Sequence, residues 1–227
     1  MAQAKWPAII RSGSGRITTM AKSGNRPYHH GDLHNACVEA ALDLLKENGI
    51  EGVTLRGVAE KAGVSRTAPY RHFATKRDLL AACAAHGFRM LEHEVASAVA
   101  SAGEAPVAQL FAGSHAYARF GAAQPHIYRL MFNGDLADSE YPEIRAAGLA
   151  AFRVPIAFLE AAQNAGIVRN TDSRMQAFAL WSALHGLVTL HIDSRPTQIV
   201  DATDLQANVK GILGILLTGI AVAPVAL

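Results

Sequence analysis

One stretch limits what this chain can fold into more than any other: residues 54–76, which read TLRGVAEKAGVSRTAPYRHFATK. Its apolar residues recur at helical spacing in the first half, and Thr54 is placed to cap that helix. Gly63 suits the left-handed conformation that ends a helix without a Cβ penalty. Ser65 then opens a second helix that ends at Phe73. The pattern predicts two short helices joined at a turn, which is the helix-turn-helix arrangement.

The second of these helices carries more hydrogen-bond donors than folding requires. Side chains of these types reach phosphates and base edges of DNA. A two-helix corner with a glycine turn is common in proteins that bind no nucleic acid, so the corner alone is weak evidence. The donors, with Lys76 and Arg77 just beyond the helix, indicate a DNA-binding unit. They are Arg66, Thr67, Tyr70, Arg71 and His72.

The chain from Leu33 to Leu79 resembles the amino-terminal DNA-binding domain of the TetR family of transcriptional repressors. The string GVSRTAPYRHFATK carries the resemblance, with a Gly-Val-Ser opening, a Tyr-x-His-Phe close and the lysine that follows. One residue departs from the family pattern, because Pro69 stands where an aliphatic residue is common. Since proline has no N–H, it removes the first intrahelical bond to the Ser65 carbonyl. We expect the helix from Ser65 to Phe73 to persist with a tilted first turn.

The side chains expected to contact DNA fall into two groups. Phosphate contacts are expected from Tyr70, His72 and Lys76, with Thr54 and Ser65 at the two helix starts. Base-edge contacts are expected from Arg66 and Thr67, and Arg56 and Arg71 are further candidates. The simpler alternatives are a packing aromatic with its hydroxyl in water for Tyr70 and a surface polar residue for His72. Phe73 is assigned to the core.

The charge of the chain is divided unevenly along its length. Residues 1–77 hold 12 Lys and Arg against 6 Asp and Glu, whereas residues 78–227 hold 9 against 13. The basic part is the part that contains the helix-turn-helix, as expected for a DNA-binding head on a neutral or acidic body. A solvated basic surface is the simpler alternative, and charge alone does not decide between the two.

The remaining sequence predicts one helix after another. Half of the residues are apolar, helix formers dominate and no alternating β-branched run appears, so we expect an all-α protein. We expect a disordered basic arm at 1–25, a three-helix DNA-binding domain at 26–77 and a helical ligand-binding and dimerisation domain at 78–227. The first helix is predicted at 32–48 with Gly49 as its stop. The later helices are predicted at 76–102, 104–121, 125–132, 142–164, 172–193 and 204–220.

The last two predicted helices are apolar around much of their circumference. Faces this wide need more cover than one body gives, so we expect them to pair with the same helices of a second chain as a four-helix bundle. Central core helices of a monomer are the alternative. The homodimer is favoured because a helix-turn-helix reads a short half-site, and twofold symmetry matches it to a palindromic operator in double-stranded DNA.

A short string in the first of these two helices gives a second resemblance. Trp181, His185 and Gly186 resemble the signature of a carboxy-terminal domain found in a subset of TetR-type regulators. The resemblance implies a helical dimer, and it does not identify a ligand.

A cavity between the body helices is the other candidate site. Ligand sites in helix bundles are often apolar with a few polar anchors, and such a cavity would take a small-molecule effector. Aromatic residues and methionines at helical spacing are more often plain core. The candidate lining residues are Phe111, His115, Tyr117, Tyr128, Met131, Phe132, Phe152, Trp181 and His185.

No motif in the sequence indicates a cofactor or catalysis, since a nucleophile elbow, a phosphate loop and an HExxH string are all missing. His86 and His93 share a helix face, but no carboxylate or cysteine stands at ligand spacing, so no metal is expected. Two cysteines, Cys37 and Cys83, are too few for a disulfide framework, which fits a reducing cytoplasm. No apolar stretch is long enough to span a membrane.

These patterns together predict a dimeric transcriptional repressor that a small apolar ligand releases from its operator. The alternative is a small-molecule- or metal-binding helical protein that does not bind an operator, and salt-dependent binding to duplex DNA separates the two. A third interpretation, a DNA-binding activator or a regulator without a ligand, is not distinguished from the first by the sequence.

Overall fold

The computed structural model describes residues 32–136, 140–193 and 204–220. Within these ranges the chain is built from α-helices, and the expected all-α fold is confirmed. The predicted basic arm at 1–25 lies outside the described residues. The helices are α1 (Asp32–Gly52), α2 (Leu55–Lys61), α3 (Lys76–Ser101), α4 (Pro106–Ala123), α5 (Pro125–Met131), α6 (Pro142–Asn164), α7 (Ser173–Ile192) and α8 (Leu205–Ile220), with a 3-10 helix at Pro69–Arg71.

The first half of the predicted helix-turn-helix is confirmed in detail. Thr54 caps α2, because its Oγ1 accepts a hydrogen bond from the Gly57 backbone N–H at 3.0 Å. Gly63 follows α2 with φ of 68°, the left-handed conformation expected of it. Gly49 also has φ of 68°, but α1 continues after the resulting kink to Gly52. The predicted stop at Gly49 is therefore a break within α1.

The second half differs from the sequence prediction of an α-helix from Ser65 to Phe73. The regular element in this segment is the 3-10 helix at Pro69–Arg71. Because Pro69 has no N–H, the Ser65 carbonyl accepts instead from the Ala68 N–H, at 2.9 Å. The Ala68 carbonyl in turn accepts from the Arg71 N–H at 3.1 Å. The segment thus begins with i→i+3 turns and ends with one longer bond, from the Phe73 N–H to the Pro69 carbonyl at 2.9 Å, rather than forming an α-helix with a tilted start.

Ser65 has a different hydrogen bond from the one expected. A helix-capping serine would accept from a backbone N–H, but Ser65 Oγ lies 3.3 Å from Thr67 Oγ1. The 3-10 helix that follows has no side-chain cap. The Ser65 hydroxyl therefore pairs with the exposed Thr67 hydroxyl instead of capping a helix.

The long helix α3 connects the head to the body. Thr75 and Asp78 form a capping box at its start: Asp78 N–H donates to Thr75 Oγ1 at 3.2 Å, and Thr75 N–H donates to Asp78 Oδ2 at 2.8 Å. Helix α6 packs against α3 and runs in the same direction. Tyr141 at the start of α6 contacts Asp78 at the start of α3, and further along the two helices Gly148 approaches Phe88. Helices α4, α5 and α7 complete the body around a continuous apolar core.

Helices α4 and α7 approach closely at Gly121. A Cβ at this position would lie 2.3 Å from Val188 Cγ1 and 3.0 Å from Tyr128 Cδ2. These distances are shorter than van der Waals contact. The absence of a side chain at Gly121 therefore allows this packing.

Among the described residues, no helix combines the length and the apolar character that a membrane span requires.

Candidate functional site

The side chains predicted to contact DNA are almost all exposed on the head. Tyr70 has 57 % of its surface accessible, a large fraction for an aromatic residue. His72 packs edge-to-face against His34 of α1, with 5.9 Å between ring centroids, and Lys76 is half-buried. The exposed set comprises Thr54, Arg56, Ser65, Arg66, Thr67, Tyr70, Arg71 and His72.

Buried residues within the same segment fix the direction of these exposed side chains. Ala68, Pro69 and Phe73 face inward, and Phe73 is 3 % exposed, as expected for a core residue. The Phe73 ring packs against His34 with 5.0 Å between centroids. The segment therefore has an apolar inner side and a donor-rich outer side, although it is not an α-helix.

Arg77 contacts the body and not the outer side of the head. Its Nη1 lies 2.6 Å from Glu140 Oε2, its Nη2 donates to the Asp135 carbonyl, and its guanidinium lies 5.6 Å from the Tyr141 ring centroid. Tyr141 Oη donates to Asp78 Oδ1 at 3.0 Å. We call these five residues the α3 clasp, since they join the start of α3 to the α5–α6 connection.

The Asp78 carboxylate takes part in both the capping box and the α3 clasp. Burial alone would raise the pKa of Asp78, but hydrogen bonds from Thr75 and Tyr141 outweigh it and lower that pKa below its ordinary value. The ionised form is the one that accepts these bonds.

A cavity of about 560 Å³ lies between α3, α4, α5, α6 and α7. Aromatic side chains form much of its wall, and exposed residues mark its mouth. Ser114 and Tyr117 of α4 line its interior and are 3 % and 8 % exposed. The aromatic lining residues include Phe88, Phe132, Phe152, Phe158 and Trp181, and the exposed ones are Gly134, Arg145, Leu149 and Phe178.

The structure divides the predicted lining residues into three groups. Tyr117, Met131, Phe132, Phe152 and Trp181 line the cavity. Tyr128 and His185 line an adjoining pocket of about 180 Å³, to which Phe132 also contributes. Phe111 and His115 line neither, because α4 presents the face of Gly113, Ser114 and Tyr117, and a helix turns about 100° per residue.

A chain of hydrogen bonds runs beside the cavity. Tyr117 Oη lies 2.7 Å from Tyr128 Oη, which lies 2.7 Å from His185 Nδ1. Burial lowers the pKa of His185 and raises the pKa of Tyr117 to about 12, so the neutral forms are favoured. When Nδ1 is the unprotonated nitrogen, Tyr128 donates to His185 and Tyr117 donates to Tyr128.

Sequence reasoning missed Ser114 and the α3 clasp. Ser114 stands among small residues of α4, where a serine gives no pattern. The clasp joins residues more than 55 positions apart, a contact that helical spacing cannot predict. Among the described residues, no group of three His, Cys, Asp or Glu side chains is placed to hold a metal ion.

Two family models match the chain. The model described as "Bacterial regulatory proteins, tetR family" matches residues 38–83, which contain the helix-turn-helix. The model described as "Tetracyclin repressor-like, C-terminal domain" matches residues 110–208, which include most of the cavity lining and α7.

Individual proteins match the chain either in the sequence of its head or in its overall fold. The tetracycline repressor protein class A from transposon 1721 of Escherichia coli is 52% identical over 50 residues, which are 22% of this chain and 23% of that protein. The chain thus matches about a quarter of the length of such curated relatives. A protein with unknown function from Rhodococcus sp. RHA1 has a TM-score of 0.76 at 29% identity, over 87% of this chain and 100% of that one.

A second solved structure shows the fold alone. The TetR family transcriptional regulator PfmR from Thermus thermophilus has a TM-score of 0.58 at 22% identity, over 78% of this chain and 96% of that one. Models of one family match most of the head and much of the body. On this ground the chain belongs to the TetR family of transcriptional regulators.

Proposed function

We propose that this chain is a DNA-binding transcriptional regulator: a dimeric repressor that a small apolar ligand releases from a palindromic operator. The observation that carries the proposal is the donor-rich outer side of the 65–72 segment above its buried inner side. Local identity to the tetracycline repressors falls on the same part of the chain as the helix-turn-helix model, and this supports the proposal.

The exposed groups suit the two kinds of contact that operator recognition needs. The Arg66 guanidinium offers several donors in a fixed fork, which matches two acceptors on a guanine edge. Thr54 Oγ1 already accepts from Gly57 N–H, and its own hydroxyl hydrogen remains to donate to a phosphate. Tyr70 and His72 add further donors toward the backbone of the duplex.

The outer faces of α7 and α8 support pairing with a second copy. Leu190 on α7 is 45 % exposed and Ile215 on α8 is 76 % exposed. A Cβ built at Gly186 or Gly211 would meet nothing within 4 Å. Apolar side chains beside open glycines allow another helix to approach closely, as in helix bundles.

Ligand release is proposed to act through the α3 clasp. Asn133, Gly134 and Leu136 line the cavity, and Asp135 among them accepts a hydrogen bond from Arg77 at the start of α3. An effector that displaces this segment breaks the α3 clasp and frees the start of α3, together with the head joined to it, to change position. The effector must bind the displaced state more tightly, because otherwise no population shifts.

The α3 clasp is weak enough to be broken by such a ligand. Its Arg77–Glu140 ion pair is about half exposed on both sides, and pairs of this kind contribute about 0–1 kcal/mol. Hydrogen exchange of the amides at residues 76–80, with the cavity empty and occupied, tests this step. An unchanged exchange rate on occupancy means that the route is wrong.

DNA binding is tested with a duplex selected from a random library by the purified protein. We expect fluorescence anisotropy to show binding that weakens steeply with salt, as phosphate contacts require. Arg66→Ala should cost about 1–3 kcal/mol and relax specificity at one base position. The matched control is Arg153→Ala, which removes an exposed arginine from α6 and should leave the affinity unchanged.

A second candidate function is a small-molecule-binding protein that does not bind an operator, and the cavity favours it. In that case neither the wild type nor Arg153→Ala would shift the anisotropy of any selected duplex at low salt. Equal losses in Arg66→Ala and Arg153→Ala would instead indicate binding through general positive charge.

A further inference from the structure

The cavity contains one buried polar side-chain atom that has no hydrogen-bond partner among the described residues. Ser114 lines the cavity and is 3 % exposed, and its Oγ has no hydrogen-bond partner among the described residues. A buried hydroxyl without a partner is costly, so a folded protein rarely keeps one without a reason.

Two other hydroxyl groups in helices of this chain are satisfied by their own helix. Ser101 Oγ donates to the Ser97 carbonyl at 2.8 Å, and Thr218 Oγ1 donates to the Gly214 carbonyl at 2.8 Å, each four residues back. Ser114 does not form the equivalent bond to Leu110. Its hydroxyl is therefore available to a molecule in the cavity.

The surroundings of Ser114 restrict what that molecule can be. Charged side chains among the lining residues are Glu92, which is half-buried, and Arg145, which is exposed at the mouth. A charge placed in the apolar interior would have no partner and would cost several kcal/mol. The interior therefore accepts hydrocarbon and neutral polar groups.

We propose that the Ser114 hydroxyl donates a hydrogen bond to a neutral oxygen of the effector, a carbonyl or hydroxyl, whose remaining atoms are aromatic or aliphatic carbon. The inference rests on the proposed effector cavity and specifies what it selects. Ser114 is then a specificity-determining residue, because it distinguishes an oxygen-bearing ligand from a pure hydrocarbon of the same shape.

Two probes of nearly equal shape test this pairing. Benzophenone and diphenylmethane both carry two phenyl rings, but only benzophenone has a carbonyl between them. Equilibrium dialysis against the full chain gives both dissociation constants. We expect Ser114→Ala to weaken benzophenone by roughly 2- to 10-fold, the range for one neutral hydrogen bond. Diphenylmethane should bind the variant and the wild type equally.

The stability of the ligand-free protein gives a second measurement. Here Ser114→Ala should be favourable, whereas it should be unfavourable for benzophenone binding. Ser114→Ala removes an unsatisfied polar group, so its thermal midpoint should rise by about 2–4 °C. The control is Ser97→Ala, which makes the same replacement at an exposed position of α3 and gains only helix propensity. A smaller rise in Ser97→Ala supports the assignment.

Three results would overturn the inference. They are equal weakening of both probes in Ser114→Ala, equal benzophenone affinity in Ser114→Ala and the wild type, and absence of benzophenone binding to the wild type up to its solubility limit. The salt-dependent DNA titration is independent of all three. A chain that binds its selected duplex but fails the probe test loses this inference and remains a DNA-binding protein.

Discussion

At the level of single residues, the hydrogen-bond chain of Tyr117, Tyr128 and His185 joins α4, α5 and α7 beside the cavity. Burial holds the histidine neutral by lowering its pKa below the ordinary 6.5. The unfolded chain therefore binds a proton more readily than the folded protein just below pH 6.5. Stability from this group is complete above that pH and is lost as the pH falls toward the folded pKa.

We expect His185→Asn to reduce this pH dependence. Asparagine keeps an acceptor near the position of Nδ1 but does not titrate, so stability should fall less steeply between pH 6.5 and 5 than in the wild type. Urea unfolding at a series of pH values measures the slope. His86, whose pKa is also lowered by burial, keeps part of the dependence in both proteins. Identical slopes would show that His185 is not the group responsible.

The sequence predicted which residues are exposed on the head, but it predicted only part of the cavity lining. Arg66 and Tyr70 stand out because folding does not require them, and both are exposed. Phe111 was misplaced because aromatic spacing shows that a helix has an apolar face but not which neighbour that face meets. Ser114 was missed because its role depends on what surrounds it in space.

At the level of elements, Thr54 and Gly63 predicted the two ends of α2, whereas Gly49 and Ser65 did not act as predicted. Thr54 at the start of α2 accepts the expected backbone hydrogen bond, and Thr75 accepts an equivalent one at the start of α3. The 65–73 segment was predicted less well, although the proline responsible was recognised. The missing N–H of Pro69 also changes the hydrogen bonds of neighbouring residues, since the Ser65 carbonyl accepts from the Ala68 N–H instead.

Gly63 gives a prediction about the turn in the head. Its φ is 68°, and an added Cβ would meet nothing within 4 Å. Gly63→Ala should therefore destabilise the chain through the backbone alone, by about 1–2 kcal/mol. Gly63→Asn should cost less, since asparagine tolerates this conformation. Urea unfolding compares the two variants. A larger loss in the asparagine variant would indicate a steric cause instead.

At the level of the whole molecule, the proposed twofold pairing places two heads at a fixed separation. Ile215 lies on the exposed side of α8. Ile215→Lys would bring two like charges into the proposed four-helix bundle, so we expect sedimentation velocity to show a shift from dimer to monomer. Binding to a palindromic duplex should weaken with it, because each monomer reads one half-site.

The control for this variant lies on the same helix. Gln206→Lys adds the same charge at an exposed residue nine positions earlier, about two and a half turns away and so on the opposite side of α8. It should leave the dimer intact. If Ile215→Lys also sediments as a dimer, the proposed face is wrong.

The contact at Gly121 restricts how α4 and α7 can move relative to each other. Because α4 and α7 meet there with no intervening side chain, neither can slide past the other without a clash between Val188 and the α4 backbone. Helices α4 and α7 therefore move together, and α7 also carries part of the face proposed to meet a second copy. A molecule that enters the cavity meets a wall whose α4 and α7 sides shift as one unit.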